Sequence, residues 1–397
     1  MPPRPTNLAI RLLDGGFYAD DPHPHFRWMR EHAPVYRDEA SGVWGLARYD
    51  DVSHASRRPD LFCSGESSRP DAPAIPSMIN MDDPAHLRRR SLVNRGFTPR
   101  RVADHEPKVR QICATLIDRV APHGKCDFVR DIAAPLPMVV IGDLLGVAPE
   151  DRDDLLRWSD DLIAATSATA SPDVAWRAGQ AFEEYAAYHR AVVADRRARP
   201  SDDLMSVLVH AEIDGRRLDD EALLHESLLI LVGGDETTRH VITGGMEQLI
   251  RQPDQRRKLL AEPGRIPTAV EEMLRWVTPI QNMNRTATAD VELGGETIRK
   301  ADKVLLLHPS ANRDARQFPE PDVFDVERRP NEHVAFGFGT HFCLGASLAR
   351  LELRVMFEEL LRRLPDIELA TGDPLPRRPS NFIVGIEHMP VVFTARG

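Results

Sequence analysis

Cysteine is scarce in this 397-residue chain, and its four copies, Cys63, Cys113, Cys126 and Cys343, show no paired spacing. A disulfide framework is therefore not the organising principle, and a reducing compartment is expected. Positive charge is not in excess either. Fifty-one Lys and Arg against 61 Asp and Glu leave a net charge of −10, which argues against nucleic acid as the main partner. Long hydrophobic runs are missing too. The greasiest stretch, residues 133–147, is broken by Pro135, Pro137 and Asp143 and falls short of the roughly 20 apolar residues that a bilayer span needs. The first ten residues hold three prolines and no apolar signal core, so a cytoplasmic protein is expected. There is no internal repeat and no low-complexity linker.

What the chain does have is helical periodicity. Apolar residues recur at spacings of three and four over 151–165, 176–197, 219–251 and 345–364. Strand-like runs are short and few: 43–48, 291–293, 303–308 and 389–394. The expected fold class is mainly α with small β-sheets, and the 42% hydrophobic content is ample for a large core.

The richest segment reads Phe336-Gly337-Phe338-Gly339-Thr340-His341-Phe342-Cys343-Leu344-Gly345, with a helical pattern directly after it. Glycines there permit close backbone approach and dihedrals that other residues avoid. A helix starting just past the cysteine directs free N–H groups and its dipole at the sulfur, which favours the thiolate. The segment resembles the haem-thiolate loop of cytochromes P450, Phe-x-x-Gly-x-x-x-Cys-x-Gly. The resemblance extends over the whole chain apart from about the first dozen residues, expected to be a poorly ordered arm. It implies the cytochrome P450 fold in a single haem domain spanning 1–397, with haem b held by Cys343 as axial thiolate. It also implies monooxygenase chemistry, because a thiolate ligand favours O–O cleavage.

Other landmarks follow in order. In Gly233-Gly234-Asp235-Glu236-Thr237, two glycines interrupt a long helix at about 1 kcal/mol each relative to alanine, so something must require them. The resemblance makes Gly233 the gap above the haem, Thr237 the hydroxyl that steadies activated oxygen, and Glu236 the acid that helps deliver protons. Asp235, about 100° around the helix, is expected to be a solvated or paired surface acid. Glu272 and Arg275, three apart on a helix, match the family's buried structural pair, with Arg328 or Arg329 as its third member. His86, Arg90, Arg285 and His341 stand at positions that hold the haem propionates, and Phe336 and Gly345 flank the ring. His225-Glu226 begins like a zinc-protease helix, but Leu229 occupies the second histidine's place. Gly337-Phe338-Gly339 hints at a dinucleotide loop, but Phe342 replaces the third glycine and no βαβ unit surrounds it. With no flavin or nicotinamide module, electrons must come from a ferredoxin and its reductase. Arg88, Arg89, Arg95, Arg100 and Arg101 are the candidate docking cluster.

Substrate is read from the resemblance alone. Residues 69–84, 126–131, 233–240, 271–276 and 379–383 look like those of actinobacterial hydroxylases acting on the cholesterol or cholest-4-en-3-one side chain at carbon 26 or 27. Ile75, Met78, Ile79, Gly233, Ile280, Met283 and Phe382 would line an apolar channel. A monooxygenase of terpenes or methyl-branched fatty acids is the alternative, and a haem-thiolate sensor without turnover stands third. A monomer is expected.

Overall fold

A computed structural model describes residues 5–165, 170–213 and 215–396. Helices dominate, and the periodic segments become helices within a few residues of their expected ends. In chain order the elements that build the site are α1 (Tyr49–Arg57), α2 (Ala85–Val93), α3 (Glu106–Val120), α4 (Pro135–Leu145), α5 (Arg152–Ala164), α6 (Pro172–Ala198), α7 (Asp220–Arg251), α8 (Ile266–Val277) and α9 (Ala346–Arg363). Their starts follow capping chemistry. Ser171 accepts from Val174 N–H and Asp219 from Ala222 N–H, each satisfying a donor that the first turn leaves free.

The axis of the molecule is α7, whose 32 residues span about 48 Å. Its second half is buried on all sides by α4, α8 and α9. Glycines make that possible. A Cβ at Gly244 would meet Val277 Cγ2 at 2.7 Å, and one at Gly245 would meet Met273 Sδ at 2.9 Å. The main core is built from these helices, and two smaller apolar clusters flank a sheet.

That sheet has the order β1 (Val35–Asp38), β2 (Val43–Leu46), β6 (Lys303–Leu306), β5 (Met283–Ala287), β3 (Phe62–Cys63). Only the β2–β6 pair is parallel, with Val304 opposite Trp44. A second, three-stranded sheet joins β7 (Glu368–Leu369), β8 (Pro390–Val392) and β4 (Lys125–Asp127). Val291–Leu293 forms a hairpin with Glu296–Ile298. The strand expected over 303–308 ends at Leu306, because Pro309 cannot donate to a ladder and sits in the short helix His308–Ala311. Of the expected N-terminal arm, residues 1–4 lie outside the described residues. Ile10 and Leu12 are instead fully buried, and Leu12 N–H donates to Asp38 at 2.9 Å. Among the described residues no helix is long and apolar enough to cross a membrane.

Candidate active site

One cavity, about 1540 Å³ of atom-free space with its mouth included, is enclosed by α7, the cysteine loop, α2, β5 and the Met78–Asn80 turn. Leu229, Gly233, Thr237 and Val241 form one wall, at steps of four along α7. The adjoining stripe is Ile230, Gly234 and Thr238. The glycine pair divides its duties. No atom of the described residues lies within 4 Å of a Cβ built on Gly233, which opens onto the cavity, whereas one on Gly234 would strike Ile141 Cδ1 at 2.8 Å. Gly233 is thus a gap and Gly234 a packing residue against α4. Thr237 Oγ1 donates to Gly233 C=O at 3.0 Å, so its hydroxyl is held at the same wall.

Opposite stands the cysteine loop. Gly337 and Gly339 have φ of 69° and 73°, the left-handed region, and a Cβ at Gly339 would meet Ser56 C=O at 2.3 Å. Gly345 differs, with φ −83°, and serves by leaving open space beside the cavity. Cys343 N–H donates to Phe336 C=O at 2.9 Å, closing the loop, and the sulfur faces the cavity. Burial pushes the thiol above its ordinary value, while the N–H groups of Gly345 and Ala346 and the cations Arg90 and Arg350 pull it down. The helix terminus therefore acts as expected, but burial outweighs it in the free thiol. The other three cysteines do not touch the cavity.

His86, Arg90, Arg285 and His341 all converge on this cavity. The two imidazoles stack at 4.1 Å. Burial and the nearby Arg285, His86 and Arg90 push His341 down to about 3, and burial alone drives Arg285 down to about 10. His86 Nδ1 lies 3.3 Å from Asp83 Oδ1, while its buried Nε2 has no hydrogen-bond partner among the described residues. Arg90 donates to Phe342 C=O. Two guanidiniums, Arg90 and Arg285, beside imidazoles that burial keeps uncharged suit an anion, and the open space beside Gly233 and Gly345 suits a flat ring. The residues fit a haem with its two propionates and a thiolate ligand. His308 also faces the cavity, buried and held down to about 4 by burial and Arg285. The sequence offered no signal for it, as it stands alone before a proline.

The acids of α7 depart from expectation. Glu236 is fully buried and does not line the cavity. It pairs with Arg239, with Arg378 at 3.2 Å and with His240 at 3.1 Å. Burial alone would raise its carboxyl, but these three partners hold it well below the usual range. Arg239 reaches Asp160 at 3.0 Å, and that aspartate is 43% exposed, so a charged chain runs from Glu236 to solvent. Asp235 is not a surface acid. It is fully buried, and burial pushes it up to about 8 against the pull of Arg239 and the Ser159 hydroxyl. The rotation argument assumed a solvent face, and α7 has none at this height. Glu352 of α9, also buried, is raised by burial and by Asp235.

Glu272 anchors the far side. Arg275 donates to both of its oxygens at 2.7 Å, and Arg328 Nε, Asn331 Nδ2 and Asp325 N–H add bonds at 3.1, 3.2 and 2.9 Å. Arg328 is the third member; Arg329 turns instead to Thr268. Of the channel candidates, Met78, Ile79, Gly233, Ile280 and Met283 line the cavity. Met283 and Arg285, two apart on β5, share one face. Ile75 and Phe382 do not line it. Ile75 is 41% exposed, and the Arg69 guanidinium covers the Phe382 ring at 4.4 Å. Phe97, Ile141 and Leu229 are lining residues that sequence reasoning missed. The step of four back from Gly233 would have found Leu229.

The family profile described as Cytochrome P450 matches residues 64–388. The chain is 54% identical over 387 residues to the steroid C26-monooxygenase of Mycobacterium tuberculosis, covering 97% of each chain. It is 41% identical over 368 residues to the same organism's methyl-branched lipid omega-hydroxylase, covering 89% of this chain and 85% of that one. Among solved structures it resembles CYP109E1 from Bacillus megaterium in complex with testosterone. The TM-score is 0.86 at 34% identity, over 94% of this chain and 99% of that chain.

Proposed function

As the chain belongs to the cytochrome P450 family, and is a monooxygenase of that family, we propose that it hydroxylates the terminal methyl of a steroid side chain. Cholesterol and cholest-4-en-3-one are the substrates in view, with oxidation at carbon 26 or 27 and onward to the acid. The observation that carries this reading is the 54% identity, over nearly the full length of both chains, to a steroid C26-monooxygenase. The apolar wall of Met78, Ile79, Ile280 and Met283 above the cysteine loop supports it. A primary C–H bond is stronger than the neighbouring tertiary one, so selection must come from position. A narrow apolar passage that admits only the slim end of the side chain supplies that position.

Cys343 is the proposed axial ligand, and His86, Arg90, Arg285 and His341 the proposed propionate partners. When bound, haem supplies the activation of dioxygen and the insertion of one oxygen atom into a C–H bond. The protein's part is binding, orientation and proton supply. Gly233 leaves room beside the wall, and Thr237 holds a hydroxyl proton there that it can pass on and regain. Glu236, held ionised among Arg239, Arg378 and His240, can take a proton from the partly exposed Asp160 when the pairing with Arg239 shifts. Electrons come from a separate ferredoxin.

The test is a spectral titration of the purified holoenzyme with cholest-4-en-3-one, a methyl-branched fatty acid and a monoterpene, followed by product analysis. The sterol is expected to shift the haem towards high spin and to yield a terminal alcohol and acid. A shift with the branched fatty acid alone would replace the steroid reading with lipid ω-hydroxylation.

A further inference from the structure

Glu226 belongs to none of the groups above, yet three elements meet on its carboxylate. It lies on α7 one turn before Ile230, on the stripe that continues through Gly234 and Thr238. The side chain is fully buried. One oxygen accepts Met78 N–H at 2.8 Å and Arg89 Nη1 at 3.1 Å, and the other has no hydrogen-bond partner among the described residues. Met78 and Ile79 are cavity wall, and Arg89 sits on α2 between Arg88 on the outer face and Arg90 at the cavity.

The turn's remaining bonds are mostly local. Asn80 N–H reaches Ser77 C=O at 3.0 Å, Met81 N–H reaches Met78 C=O at 3.3 Å, and the Asn80 side chain serves Ser68 N–H at 2.7 Å and Ile75 C=O at 3.3 Å. These hold the loop's own shape. The bond to Glu226 ties that shape to the helix carrying Gly233 and Thr237. Burial pushes the Glu226 carboxyl up to about 7, so Arg89 and the Met78 amide are what favour its charge. Arg89 is the charged group facing it from α2; from α6, Tyr185 bonds to Ser227 at 2.8 Å rather than to Glu226.

We propose that Glu226 is a positioning residue for the hydroxylation: it fixes the Met78–Asn80 turn at a set height above α7 and fastens that turn to α2 through Arg89. Regioselectivity then depends on a carboxylate that touches neither substrate nor haem. The proposal rests on the reading that this cavity holds the substrate, but its structural half can be measured without one. A wall displaced by about 1 Å presents a different carbon to the reacting centre, and such misplacement alone can cost about 10²-fold in rate.

The experiment compares wild-type holoenzyme with Glu226→Gln, Glu226→Ala and Arg89→Met. Amide hydrogen exchange over residues 77–81 is measured without substrate, and the ratio of terminal to interior hydroxylation with cholest-4-en-3-one. Each variant is first shown to keep its haem and thiolate spectrum. Loss of one hydrogen bond is worth about two- to tenfold in local opening. Glu226→Ala is expected to speed exchange at Met78 by about tenfold, while Arg89→Met and the isosteric Glu226→Gln speed it by about two- to threefold. Interior products should rise in the same order. Faster exchange in an enzyme that turns over branched fatty acids but not sterols leaves the clasp standing and removes only the steroid reading. Unchanged exchange in all three variants, or faster exchange with an unaltered product ratio on whichever substrate is turned over, overturns the proposal.

Discussion

Asp235 and Glu236 are adjacent, equally buried, and pushed in opposite directions. Burial keeps Asp235 protonated to about pH 8, against an ordinary 3.8, so the folded state binds its proton more tightly than the unfolded state does. Its contribution to stability is therefore full below about pH 4 and is lost as pH rises through 8. The melting temperature of the holoenzyme should fall between about pH 4 and 8, and Asp235→Asn should flatten that fall. A fall of the same size in the mutant removes Asp235 as its cause. Glu236 contributes in the reverse sense, losing its ion pairs as pH drops. At the cavity wall, Thr237→Ala should retain haem and substrate binding while reducing equivalents drain into hydrogen peroxide, with a loss of product of about 10²-fold or more. Peroxide yield against product is the measurement, and unchanged coupling takes Thr237 out of the mechanism. The glycine pair was legible because glycines inside a greasy helix demand a reason, and Thr237 only through the family resemblance. The burial of Asp235 was not, since a helix wheel does not reveal neighbours on every side.

The two glycines of α7 make a paired test of element packing. Gly234→Ala drives a methyl into Ile141, and such overpacking typically costs about 1–3 kcal/mol. Gly233→Ala meets no atom and gains about 1 kcal/mol of helix propensity, so it should preserve or raise the melting temperature while reducing the high-spin shift. Equal effects of both on melting would contradict the division of roles. For α8, Glu272→Gln leaves the buried Arg275 and Arg328 without their counter-charge. Breaking a buried pair costs about 3–5 kcal/mol, and reduced haem retention with a lower unfolding midpoint in urea is the expected result. Glu272 and Arg275 were readable only through the family resemblance, since charged surface helices produce a Glu-x-x-Arg spacing freely. The choice of Arg328 over Arg329 was not, because both precede the same proline and only the fold decides which one points inward.

Across the whole molecule, the basic cluster is thinner than its composition suggests. Arg89 is tied to Glu226 and Arg101 lies 2.9 Å from Asp202, which leaves Arg88, Arg95 and Arg100 as its exposed members. If an acidic ferredoxin docks there, the rate of electron delivery should fall with rising salt, and Arg88→Glu with Arg100→Glu should slow it by about tenfold at low ionic strength. Salt-independent reduction in a stopped-flow measurement would direct the search to another face. The long helices were legible from periodicity, whereas the sheet order was not. The partners in its β2–β6 pair, Trp44 and Val304, lie most of the chain apart, and no local pattern encodes that pairing. The same long reach governs how the protein is made. The cavity draws its walls from Ser56 through Leu353, so a nascent chain still short of Cys343 lacks both the proposed ligand and an enclosed pocket. On the proposed haem assignment, cofactor loading waits until these distant segments have all been synthesised, so the supply of haem acts late on the growing chain.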